Sequence, residues 1–75
     1  MPSRRVRLSY PPSLVDRPIL YELIQKFDVV TNIRQAEVNG DRGILLIDMR
    51  ADDSVLNQAI DWLRELGIEV QPITS

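Results

Sequence analysis

The chain sorts its apolar positions into four stretches that alternate and two that repeat at helical spacing. From Arg4 to Tyr10, Val6, Leu8 and Tyr10 fall on one side and Arg5, Arg7 and Ser9 on the other, the pattern of a strand with one wet face. Pro11 and Pro12 cannot donate to a ladder, so they end it. Asp16 is a candidate cap, and Pro18 stands where a first helical turn tolerates proline. Ile19, Leu20, Leu23, Ile24 and Phe27 then share one helical face, with Glu22 and Lys26 placed as an ion pair on the other. Thr31 to Val38 returns to an extended pattern, and Asn39 to Gly43 offers the positive-φ residues of a hairpin loop. The strand that follows, GILLIDMR, points Leu45, Ile47 and Met49 one way and Ile44 and Leu46 the other, as expected of a central strand. Asp52 and Asp53 are placed to cap a second helix, in which Val55, Leu56, Ala59, Ile60, Leu63 and Leu66 form the apolar face. Arg64 complements the C-terminal end of its dipole and Gly67 its stop. IEVQPI makes a last short strand, with Pro72 marking a sheet edge or the strand's end.

The order β-α-β-β-α-β predicts a ferredoxin-like α+β fold: a four-stranded antiparallel sheet with both helices on one face. One domain over residues 1–75, with its core at about 4–73, is expected. A chain of 75 residues buries only about 60% of its unfolded surface, so a partner subunit would add stability.

This fold carries many functions, and composition removes several of them. There is no cysteine and no histidine, which excludes disulfides, the usual transition-metal sites and most nucleophile–base pairs. A net charge of −2 gives no attraction to nucleic acid or to an anionic membrane. Base stacking would need aromatic residues on the central strands, and GILLIDMR has none. An acylphosphatase-like site would pair an arginine with an asparagine, as Arg17 and Asn32 do in outline, but Asp16 adjoins the arginine and no glycine-rich nest accompanies it. The Asp52-Asp53 pair reads as helix capping in preference to a metal or acid–base pair. No enzyme activity, metal or cofactor is expected. No run is long enough to span a membrane and MPSRRVRLSY lacks the apolar core of a signal peptide, so a cytoplasmic location without membrane insertion is the expectation.

The proline-led helix RPILYELIQKF, the Asn32-Ile33 pair of TNIRQAEV, the NGDRG turn into GILLIDM and the closing AIDWLRELGIEV together resemble the NIL domain. This is the ACT-like ferredoxin-fold module at the C-terminus of methionine-import ABC transporter ATPases, and the similarity runs from about Arg7 to Ile73. The family's Asn-Ile-Leu signature reads Asn32-Ile33-Arg34 here, with a basic residue at the third position. The resemblance implies a regulatory module that binds a methionine-like free amino acid at a domain–domain interface, with Asn32 as the ligand contact and Ile33 and Arg34 beside it. An amide donates and accepts, so it suits both the ammonium and the carboxylate of an amino acid. Asn32 is equally suited to closing an Asx-turn at the strand entrance.

Arg34 is expected on one strand face with Ala36 and Val38. Ile44 and Leu46 point away from the helices, and Ile33 is expected beside them, leaving an apolar patch that a homodimer would bury there or along an adjoining edge. Trp62 is assigned to core or interface packing, and Tyr10 to a strand end with a wet hydroxyl. The expected function is amino-acid sensing at a dimer interface, acting through a protein partner that the sequence does not name; a freestanding module of this kind senses and does not pump. The alternative is a protein-interaction adaptor that keeps the fold and has lost the ligand, for which Arg34 is the motivating departure.

Overall fold

The computed structural model describes residues 2–73. Strand β1 (Ser3–Tyr10) leads through a single 3₁₀ turn at Pro12–Leu14 into helix α1 (Ile19–Lys26). Strands β2 (Val30–Asn39) and β3 (Arg42–Arg50) form a hairpin, and helix α2 (Asp53–Glu65) returns the chain to strand β4 (Glu69–Pro72). The four strands make one sheet in the order β2-β3-β1-β4, with every neighbouring pair antiparallel. This is the expected ferredoxin-like arrangement, with β3 and β1 in the middle.

Register explains why the core has one side. Val6 lies opposite Ile47 and Leu8 opposite both Leu45 and Val70, so these side chains share a face. That face meets Ile19 and Leu23 of α1 and Leu56, Ala59, Ile60 and Leu63 of α2, all buried in one cluster with Val6, Leu8, Ile47 and Met49. Phe27 and Trp62 bind the helices to each other, their rings edge to face with centroids 6.0 Å apart. At the strand end Arg4 reaches from the same side to Asn57 at 2.8 Å and Asp53 at 3.4 Å, fastening the first turns of α2 to β1.

The end of α2 forms a complete Schellman motif: Gly67 N–H donates to the Arg64 carbonyl at 3.0 Å and Ile68 N–H to the Leu63 carbonyl at 3.1 Å. Gly67 adopts φ 100°, as its predicted role requires, and the accompanying apolar contact falls to buried Ile68 and Leu63. Arg64 donates to the Val70 carbonyl at 3.2 Å, tying the helix end to β4.

Several local expectations are corrected. Asp16 is no cap, because Pro18 occupies that position of α1 without a side-chain bond. Glu22 pairs with Arg17 and not with Lys26: the guanidinium fork meets both carboxylate oxygens at 2.8 Å, a geometry an ammonium does not match. Asp52 is the N-cap residue of α2 but makes no side-chain capping bond, while Asp53 turns to Arg4. The hairpin loop is tighter than Asn39 to Gly43; Asn39 and Arg42 already pair, and Gly40 alone takes a positive φ, 65°, as the first residue of a two-residue turn. Tyr10 does close β1 as expected, and the partial burial of its ring pushes the phenol pKa up to about 12.

Gly67→Ala should lower the unfolding free energy by about 1–2 kcal/mol through backbone strain alone, since nothing lies within 4 Å of the added carbon. A urea titration would show a lower midpoint at unchanged slope.

Candidate functional site

The hairpin that carries Asn32 is irregular at one point. Ile33 lies opposite Ile47 and Gln35 opposite Leu46, so Arg34 is an extra residue in a β-bulge. The bulge shifts the alternation of β2 by one. Before it, Ile33 shares the side of Ile47; after it, Ala36 shares the side of Leu45 and Val38 that of Gly43.

Two placements are thereby corrected. Ile33 does not join Ile44 and Leu46 on the helix-free face but lies on the helix side, where it remains 55% exposed because β2 is the outermost strand. Arg34 does not lie with Ala36 and Val38. Its guanidinium stands 3.6 Å from the Asp48 carboxylate, on the helix-free face. Ile44 and Leu46 do occupy that face, half-buried beside Arg7, Gln35, Glu37 and Ile73.

Asp48 is the residue that sequence reasoning passed over. It stands directly opposite Arg5 on one side and Asn32 on the other. Arg5 donates to it through Nε at 2.8 Å, with a longer bond at 3.5 Å, and Arg34 adds its charge. The Arg5 hydrogen bond is the largest influence and, with the charges of Arg5 and Arg34, holds the Asp48 carboxyl below its ordinary pKa, although desolvation, larger than either charge alone, opposes it. The available signal was a lone carboxylate in an otherwise apolar strand, on the same face as Leu46.

Asn32 and Asp48 line an open recess of about 410 Å³ with Ser3, Val30, Thr31 and Arg50. Asn32 lies within β2 and not at a turn, and among the described residues its amide has no hydrogen-bond partner, so it closes no Asx-turn. An unengaged amide, a carboxylate and a guanidinium thus share one recess with an exposed valine. The groups match the two charges of a zwitterion. Arg17, by contrast, is held by Glu22 beside α1, away from Asn32, so the acylphosphatase-like pair does not assemble. A more apolar hollow of about 260 Å³ lies between α1 and the hairpin, where Tyr10, Leu20, Tyr21, Val38 and Leu45 line it. Among the described residues its charged lining is Glu37 and Arg17, the latter paired with Glu22. Among the described residues no group of three or more acidic or His side chains is gathered to hold a metal, and no helix is long and apolar enough to cross a membrane.

Residues 4–72 match the NIL domain family. The chain belongs to that family. The NIL domain here is 29% identical over 72 residues to methionine import ATP-binding protein MetN 3 of Bacillus cereus, covering 91% of this chain and 21% of that protein. It is 33% identical over 70 residues to MetN of Coxiella burnetii, covering 88% of this chain and 20% of the relative. It therefore spans about a fifth of the curated relatives it matches. The C-terminal domain of an ABC transporter ATP-binding protein from Enterococcus faecalis superimposes with a TM-score of 0.83 at 25% identity, over 96% of this chain and 84% of that one.

The charge cluster makes an acid-side prediction for this NIL domain. Because folding lowers the Asp48 pKa, the unfolded chain takes up the proton first; the stabilisation is whole above the unfolded value and is lost as pH falls through the folded one. Asp48→Asn should therefore be less stable than the wild type at pH near 6, and the gap should close toward pH near 2.5 in urea midpoints.

Proposed function

We propose that this NIL domain is a small regulatory module that binds a free, methionine-like amino acid in the Asn32 recess, at a homodimer interface, and acts through a protein partner. The observation that carries the reading is the unpartnered Asn32 amide beside Asp48. In this reading Asp48 and the Asn32 carbonyl receive the ligand's ammonium, and Arg50 with the Asn32 NH₂ receives its carboxylate. Val30 supplies apolar surface for the side chain and Arg34 borders the site from the bulge, while Ile33 lies on the opposite face of β2 and takes no part in it. Methionine is the first candidate because the relatives named above are methionine import proteins. Those relatives are ATP-binding proteins, which supports a cytoplasmic setting. The domain itself contributes binding energy and no catalytic step, so its output passes to another polypeptide.

A second reading, an adaptor without a ligand, draws on Arg34: its charge lies against Asp48 and competes for the carboxylate that an ammonium would use.

Thermal unfolding with millimolar free amino acids separates the two. A ligand at 100 times its Kd stabilises by about 2.7 kcal/mol, which is about ten degrees or more for a domain of this size. The sensor reading requires a selective upward shift that Asn32→Ala abolishes. No shift with any amino acid overturns it in favour of the adaptor.

A further inference from the structure

We propose that the helix-free face of the sheet docks a partner protein, and that the segment it takes is an amphipathic helix whose apolar stripe is flanked by carboxylates. The inference rests on the partner clause of the function proposed above and gives that partner a chemistry; it does not depend on the amino acid.

Charge is divided unevenly between the two sides of this acidic domain. Register puts Arg5 and Arg7 of β1 on the helix-free face, opposite Asp48 and Leu46. Arg34 reaches that face from the bulge, and Arg42 and Arg50 share the alternation of Ile44 and Asp48 along β3. Against these five cations the face carries three carboxylates: Asp48, Glu37 opposite Ile44 and Glu69 opposite Ser9. The rest of the chain has four cations and eight carboxylates. The helix-free face is therefore +2, and everything else is −4. All five cations are arginines, the cation enriched in protein interfaces, whereas the one lysine, Lys26, lies on α1. Asp48 occupies Arg5 and Arg34, but among the described residues Arg7, Arg42 and Arg50 form no ion pair.

An aliphatic floor lies between these arginines. Ile44, Leu46 and Ile73 are half-buried and, with Arg7, Gln35 and Glu37, line an open hollow of about 340 Å³. A helix suits such a floor better than a strand laid flat on the sheet, because it satisfies its own backbone hydrogen bonds. Residues two apart on a strand are about 6.8 Å apart and residues four apart on a helix about 6 Å, so one i, i+4 apolar pair covers Ile44 and Leu46. A carboxylate beside that pair meets Arg7, which stands opposite Leu46. A second copy fits poorly, since two faces of net positive charge repel each other. A nucleic acid strand would need aromatic side chains for its bases, and among the described residues this face has none.

The test is an amide-resolved NMR titration of the intact chain with a synthetic helical peptide of about five turns. The peptide carries Leu at i and i+4 with Glu on either side of the stripe, and a control carries Lys in place of every Glu. The acidic peptide should give saturable shifts centred on Arg7, Ile44, Leu46 and Gln71, with a Kd that rises with salt. The lysine peptide should not bind. Arg7→Glu should raise the Kd about tenfold, and Asp61→Lys, on the exposed side of α2, should leave it unchanged. Thermal melts establish that both variants fold, and Arg7→Gln replaces the reversal if Arg7→Glu melts early. Shifts confined to the helix side, equal binding of the lysine peptide, a Kd indifferent to Arg7, or no saturable shift at millimolar peptide would each overturn the proposal. Tighter, Arg7-dependent binding to phosphatidylserine vesicles, to an oligothymidylate or to a second copy would reassign the face and overturn it equally. None of these results bears on amino-acid binding, which the thermal measurement reads separately.

Discussion

The pairing of β1 with β3 is the constraint on which the rest of this domain depends. With Val6 set against Ile47 and Leu8 against Leu45, the apolar side of both central strands faces one way, and both amphipathic helices must bury their stripes there. A helix of 8 residues and one of 13 cover the middle of the sheet but not its outermost strand. The exposure of β2 and the solvated second face follow from that shortage of cover. A chain of this size leaves a large share of its surface unburied.

The bulge at Arg34 turns that leftover surface into something specific. Without the extra residue, a strict alternation would keep Asn32, Arg34 and Ala36 on one face. With it, Asn32 and Arg34 converge on Asp48 from β2 while Ala36 and Val38 turn to the other side. The inserted position leaves Asn32 and Arg34 together beside Asp48 and reverses the faces of the residues that follow, which sets the phase of the exposed edge. Bulges of this kind are found where a side chain has to be re-aimed.

Much of the architecture was readable from residue order. Period-two and period-3.6 stretches, the paired prolines after Tyr10 and Gly67 after the second helix are local signals, and the physics behind them acts over a few residues. Side-chain pairing was less legible. Asp16 as a cap and Glu22 with Lys26 are sound local choices that lost to Pro18 and to the better fork of Arg17. Of the site, Asn32 could be picked out, whereas Asp48 and the true face of Ile33 depend on which residues of another strand stand opposite.

The sequence by itself determined the element order, the central place of β3, the apolar core and membership of the NIL family, because each rests on patterns carried within single segments. Only the tertiary structure decided what the helix-free face looks like. A bulge is defined by the count of residues on two strands at once, and no alternation along one strand reveals it. The neighbours of Asp48, the company of Asn32 and the free flank of β2 are all consequences of that long-range register.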